Sequence, residues 1–534
     1  MILCDRADIE SFTQSGVWGE ATLDGLLRSA AERHPDKPAL LSHDAGNWTT
    51  ITYGELDKKA DRMAQLLMAS GLRQDDVVAY QLSNSVEAYV TLFGVMRAQG
   101  IACPLPLPWR ESELSAALSQ VNARFVITCK NYGGHAYADM MRFVAAEIFS
   151  VRRLMSYGTD LPDGVESIDE LLSGAGDMDV PSPRREAANH VATFCFDTAE
   201  GAPHPIARTH NEWLTASRMP LAAMRLNADS RILSGQYPTK LAAIASAVGP
   251  WLLTGSTLCI YDALDFPLSD EVVAGCGATA TLLPFGAFDA LAAENRLNTS
   301  CSIGVIWNAG ILANAHPPLE TYDASITDII CFNETAIIAR RRKQGEMAAE
   351  LRIGELRPAE AGLETGVLLE LKASGSPEGE LLIGGAMLPS AVLGSAESNL
   401  PRIGRTGRDF RPSGLKCKIA PGGAGRVQIS GMTGAVLHVA NSPVAADELD
   451  QVLRQHSGVS DAASFSVPHK VMGSSLHAAL AVEPNRRVSI EDLLTFLSMK
   501  RVGVHKLPDA VSVVDAIPRD ANSNVLREQL RQAG

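Results

Sequence analysis

The sequence predicts an α/β fold: a large N-terminal unit of alternating strands and helices, a β-rich part at its end, and a small α+β unit. Three observations carry this. Short apolar runs such as VVAYQ and ATLLP alternate with amphipathic segments such as ELDKKADRMAQLLMA, at spacings that suit parallel crossover connections. From about Leu371 to Gly431 the chain becomes Gly-rich, with short β-like runs GELLIGG and RVQISG. After it, a helix, two strands and a further helix fit a separate unit of about 100 residues, a common domain size. The expected division is residues 1–430 and 435–534.

In chain order, Thr22 is placed to cap a first helix, with Leu23, Leu26, Leu27 and Ala30 on one face. A strand and turn lead into a second amphipathic helix that stops near Gly71. DDVVAYQLS reads as a strand, VEAYVTLFGVMRAQG as a helix closed by Gly100, and IACPLP as a strand. ESELSAALSQVN is a helix before the strand ARFVIT. The alternation resumes after residue 190 with HVATFCF, NEWLTASRM, RILSG, KLAAIASAVGPWLL, STLCIYD, ATATLLP and SIGVIWNAG. In the small unit, VAADELDQVLRQHSG and SIEDLLTFLSMKRVG are helices around the strands AASFSVPH and HAALAVE.

Composition narrows the function. The chain has 534 residues, 46% of them hydrophobic, which suffices for a large core and more than one domain. A net charge of −14, with no run of Lys or Arg, argues against a nucleic-acid partner. No stretch approaches about 18 uninterrupted apolar residues, so no membrane span is expected. The N-terminus lacks a basic-then-apolar signal pattern. Nine cysteines without a CxxC pair read as reduced thiols of a cytoplasmic protein, and no metal site is expected.

Several local stretches resemble one family. TYGELDKKADRMAQLLMASGLRQDDVVAYQLSN, PLPLPWRESEL, PIARTHNEW, VAADELDQVLRQHSGV and HKLPDAVSVVDAIPRDANSNVLREQL follow, in order, the signatures of the adenylate-forming superfamily. That superfamily holds acyl-CoA synthetases, firefly luciferases and adenylation domains of peptide synthetases. Within it the chain looks most like the stand-alone aryl-acid–AMP ligases that activate 2,3-dihydroxybenzoate or salicylate for siderophore assembly. The resemblance implies the fold, a small domain that swings between an adenylating and a thioester-forming pose, and a possible homodimer.

Set against that family, the nucleotide residues differ. The phosphate loop is expected to be rich in Ser, Thr and Gly and to end in Lys; here it reads Phe196, Asp197, Thr198, Ala199, Glu200, Gly201, with His204 at the lysine position. Two carboxylates there would repel a polyanion. The carboxylate that helps hold Mg²⁺ falls on Ala336, with Glu334 two residues away. The ribose-binding Asp falls on Arg408, which cannot accept a hydrogen bond. The hinge reads Gly431-Met432-Thr433-Gly434, without its arginine, and the C-terminal lysine falls on Asn524. These differences lead to the expectation that ATP and Mg²⁺ binding are lost and that no cofactor is needed.

The acyl pocket is expected around Tyr237, Thr239, Lys240, Trp307, Asn308, Gly310 and Asn333, with Ala440–Pro443 along the path of a pantetheine arm. Trp307 reads foremost as a core residue, and Lys240 as either a solvated helix-start lysine or a ligand contact. The leading functional expectation is an ATP-independent hydrolase of an acyl or peptidyl thioester. Its candidate catalytic residues are His204, Asp197, Glu200, His210 and Glu334, since a histidine beside a carboxylate can activate water. For His210 the structural reading, a framework residue at a helix start, is preferred. The expected partners are a small acyl substrate and a carrier-protein or CoA thioester. Two alternatives stand beside it: a non-catalytic protein that docks a carrier or sister enzyme, and an aryl-acid–AMP or acyl-CoA ligase with atypical motifs.

Overall fold

In a computed structural model the described residues are all but 45, 175–178, 199–200, 263–269, 298–300, 315–323, 344–350, 358–365, 376–377, 393–409, 420–424, 433, 440–441, 470–472 and 534. The alternating pattern builds two eight-stranded sheets. One runs 336–341, 325–332, 302–308, 280–284, 231–234, 257–260, 38–44, 47–52, with a parallel centre and an antiparallel strand at each edge. The other runs 391–392, 204–209, 191–197, 101–104, 77–81, 125–129, 153–157, 166–167. The central strands are continuous apolar runs because helices cover both faces: every residue of Val77–Gln81 and Ile101–Pro104 is buried.

Helix starts follow their side-chain chemistry. Thr22 Oγ1 accepts the Gly25 N–H, and Thr52 and Thr209 form reciprocal capping boxes with Glu55 and Glu212. Between the sheets lie helix His210–Met224 and the segment Leu241–Thr254, which passes through a π-helical turn at Ile244–Val248. Gly249 lets these two helices touch: a Cβ there would sit 1.8 Å from Ser217 Oγ. Trp213, Trp251 and Trp307 are among the largest side chains sealed into this core.

The Gly-rich stretch forms a six-stranded sheet of antiparallel pairs, ordered 351–352, 426–432, 411–419, 378–384, 369–373, 354–356. After Met432 come a short hairpin, Val436–Val439 with Ser442–Ala445, and a sheet of Val459–His469, Gly473–Val482 and Ala510–Val513. Helices Ala446–Leu453, Ile490–Met499 and Arg527–Ala533 complete this small unit. Strand His204–Thr209 departs from the sequence reading, which left His204 in a loop. It pairs antiparallel with Val191–Asp197, placing His204 opposite Asp197. Pro205 is tolerated because the neighbouring strand 391–392 pairs only with Ile206 and Ala207, so no ladder bond is asked of its missing N–H there.

Among the described residues no helix is long and apolar enough to cross a membrane. All nine cysteines are free thiols.

Candidate active site

The carboxyl ends of strands from both large sheets converge on one cavity of about 310 Å³. Its walls are the loop Pro106–Trp109 after strand 101–104, the strand end Phe196–Thr198, and the segment Gly235–Lys240 after strand 231–234. Pro284, Ile306–Asn308 and Cys331–Glu334 supply the opposite side. Open α/β sheets bind ligands at such strand ends, where side chains project but the ladder no longer needs the backbone. The small unit closes the cavity with Ser442, Pro443 and His505.

The cavity lining is mostly apolar, with a few charged side chains among it. Trp307 forms part of the wall; its ring stacks on Phe285 at 4.0 Å and its Nε1 donates to Asp328 Oδ1 at 2.8 Å. The tryptophan is therefore both core and lining. Asn308 Oδ1 accepts the Gly310 N–H at 2.9 Å. Tyr237 shares hydrogen bonds with Tyr132 and Asp262, which hold its ring at the wall. Asn333 takes a left-handed backbone (φ 46) in the turn between strands Ser325–Phe332 and Ala336–Arg341. Arg208, fully buried, fixes that turn by donating to the carbonyls of Glu334 and Thr335 at 2.6 and 2.9 Å.

Three charged groups meet there. The Glu334 carboxylate accepts the Leu241 N–H at 2.7 Å, and burial raises its pKa to about 7. The Lys240 ammonium donates to Ser442 Oγ at 3.1 Å. Burial holds its pKa below the usual lysine range, and the charges of Glu334 and Asp197 partly offset this. A shared charge between a buried lysine and two carboxylates is a poor structural brace and a common feature of ligand sites.

Of the residues expected from sequence, Asp197, Thr198, Tyr237, Thr239, Lys240, Trp307, Asn308, Asn333 and Glu334 line this one cavity. Others do not. His204 lies on its strand outside the lining. His210 is a framework residue: its Nδ1 accepts the Leu23 N–H at 3.1 Å, and burial lowers its pKa to about 4. Gly201 turns with φ +110 against Glu448, and Ala336 is buried as the first residue of its strand. Gly310 permits a close approach, since a Cβ would sit 2.7 Å from the His438 ring. Gly434 precedes the small unit's hairpin. Asn524 is exposed and binds Asp520 through both its N–H at 2.8 Å and its side-chain amide at 3.0 Å. Glu200 and Arg408 lie outside the described residues. Among the described residues no group of three or more His, Cys, Asp or Glu is placed to hold a metal ion.

The sequence reading missed the Pro106–Trp109 wall and His505. Burial lowers the His505 pKa to about 4, so it is neutral at pH 7. The signal was present in the stretches PLPLPW and HKLP, but nothing local said that they face the same space.

Comparison with known proteins sharpens the chemistry. The AMP-binding enzyme family model matches residues 27–404, well over half of the chain, and the model of the AMP-binding enzyme C-terminal domain matches 448–524. The salicyl-AMP ligase / salicyl-S-ArCP synthetase of Mycobacterium tuberculosis is 25% identical over 96% of this chain and 90% of its own length. The 2,3-dihydroxybenzoate-AMP ligase of Bacillus subtilis is 22% identical over 98% and 96%. Among solved structures, the apo structure of MbtA from Mycobacterium smegmatis superimposes with TM-score 0.64, at 22% identity, covering 98% of this chain and 97% of that one.

These findings overturn the expectation of a non-adenylating, ATP-independent thioester hydrolase. The two relatives named above match end to end and are acid–AMP ligases. The physical reason lies in the cavity. A hydrolase of the expected kind needs a histidine–carboxylate pair facing the substrate, and neither His204 nor His210 reaches the lining.

Proposed function

The chain belongs to the AMP-binding enzyme family, and on that premise we propose that it is an ATP-dependent ligase of a small, largely apolar carboxylic acid, an aryl acid foremost. The acid's carboxylate oxygen attacks the α-phosphorus of ATP, and the bond to pyrophosphate breaks. A thiol then adds to the acyl carbon, AMP leaves, and the thiol proton passes to solvent. The thiol is that of a carrier arm or of CoA. The observation that carries this reading is the cavity itself. Its lining is mostly apolar, with Trp307 and the Pro106–Trp109 loop among it, and suits an aromatic ring; Lys240 and the strand end Phe196–Thr198 line the same cavity.

The arrangement of the small unit supports the second half-reaction. Ser442 and Pro443 line the cavity, and Thr198 Oγ1 donates to the Pro443 carbonyl at 2.9 Å. That hairpin of the small unit thus touches the strand end Phe196–Thr198 at the cavity. The test is ATP–pyrophosphate exchange on the pure protein with salicylate, 2,3-dihydroxybenzoate, benzoate and octanoate. Exchange well above the acid-free rate with at least one of the aryl acids is expected. Background exchange with all four would overturn the reading.

A further inference from the structure

We propose that Lys240, on the large unit, supplies the positive charge that meets the acid's carboxylate and the negative charge developing at the acyl–phosphate bond. The inference rests on the ligase reading above and adds which group carries the charge. Three observations converge on it. First, Lys240 is the sole Lys or Arg among the described residues that line the cavity. Second, an ammonium has three donors, and Ser442 Oγ is the hydrogen-bond partner of this one, which leaves donors for a ligand. Third, the C-terminal turn offers no substitute: Asn524 is exposed, uncharged and bound to Asp520.

The position fits the role. Lys240 opens the segment Leu241–Thr254, so its backbone is fixed by that element, while its side chain reaches across to the small unit's hairpin. Asp197 and Glu334 influence the ammonium from the strand end and from the opposite turn. Both carboxylates favour the charged form of the ammonium, the form that an incoming carboxylate would meet. A carboxylate entering between Trp307 and Lys240 meets the cation at the end where the α-phosphate must stand. In the attack, the carboxylate oxygen bonds to phosphorus, the bond to pyrophosphate breaks, and Lys240 keeps its proton throughout. It acts by charge and not as an acid. Because this cation belongs to the large unit, its place in the cavity does not depend on the Asp520–Asn524 turn of the small unit.

The experiment uses the full chain in three forms: wild type, Lys240→Met and Lys240→Arg. Salicylate binding by calorimetry is read beside binding of neutral salicylamide. Lys240→Met is expected to weaken salicylate at least about 10-fold, as loss of a charge-assisted hydrogen bond does, and to leave salicylamide unchanged. Lys240→Arg restores most of the loss. In pyrophosphate exchange, Lys240→Met is expected to lose about 100-fold in kcat/KM, the scale of one lost charge-stabilising group. Equal weakening of salicylate and salicylamide would reduce Lys240 to a packing residue and overturn the proposal. So would exchange that survives in Lys240→Met but collapses in Asn524→Ala. A wild type that binds salicylate through Lys240 yet exchanges no pyrophosphate would instead sink the ligase reading and, with it, the role at phosphorus.

Discussion

The small C-terminal unit has two ends with opposite environments. One end, built from Ser442, Pro443 and the Gly503–Lys506 segment, is pressed against the large unit and helps close the cavity. The other end, the turn Asp520–Asn524, faces solvent and satisfies its polar groups internally. Both are short segments that contain polar residues, so composition does not distinguish them. The difference lies in long-range pairing. Lys506 is 8% exposed and bridges Glu113 of the large unit, 2% exposed, at 3.1 Å, and Glu448 at 3.2 Å. The Gly503 N–H also donates to Glu113, and the Val504 N–H donates to the Pro108 carbonyl. The unit is held by the face that carries these partners, and that face is the one at the cavity.

Breaking the latch gives the largest expected effect. Lys506→Met leaves Glu113 buried without its cation, which costs about 3–5 kcal/mol for a buried pair broken on one side. The small unit is then expected to come away at lower temperature, seen as a separate early transition in calorimetry. A single transition at the wild-type temperature would show that the ion pair does not hold the pose. Pairing the change with Glu113→Gln is expected to recover much of the loss, because the stranded charge is gone.

Acid separates the two ends next. Burial lowers the pKa of both His438 and His505 to about 4, against 6.5 for an unburied histidine. Both sit on the docked side, where His438 packs against Gly310 of the large unit. The unfolded or released histidine therefore takes up a proton first as pH falls below 6.5. Docking loses stability from there down to about 4, where the docked form protonates too, and is fully favoured above 6.5. A melting temperature that falls over this window, with a flatter slope in His505→Gln, is expected. A flat profile between pH 6.5 and 4 would contradict the buried environment of the docked end.

How much of this was legible follows from the range of each interaction. Local chemistry was readable: Thr22, Thr52 and Thr209 sit where helix caps are needed, and the apolar runs became the buried central strands. Much of the cavity was readable too, through the family resemblance: Tyr237, Lys240 and Asn333 come after strands and Trp307 near the end of one, and all four line it. His204 was misplaced for a physical reason. Its neighbour Pro205 signals a loop, and only the pairing of Phe196 with Pro205 across the hairpin shows a strand. The expectation of hydrolysis rested on the altered nucleotide motifs beside an intact acyl-pocket frame, with His204 only as its candidate base. The Lys506–Glu113 bridge and the His505 contribution depend on chain positions hundreds of residues apart. No periodicity reports such contacts.

The smallest expected effect is at the free end. Asn524→Ala removes one exposed side-chain bond to Asp520, while the Asn524 and Asn522 backbone N–H groups still donate to the same carboxylate. Surface changes of this kind sit within the noise of most stability measurements, so the melting temperature is expected to move by no more than about 1 °C. Pyrophosphate exchange is expected to stay at the wild-type rate, because the turn is exposed in the docked arrangement and carries no charge. A large loss of exchange at unchanged stability would mean that this turn visits the cavity during the reaction. The small unit would then have to rotate its solvent-facing end inward, and the Lys506–Glu113 latch would be one of two resting positions instead of the working one.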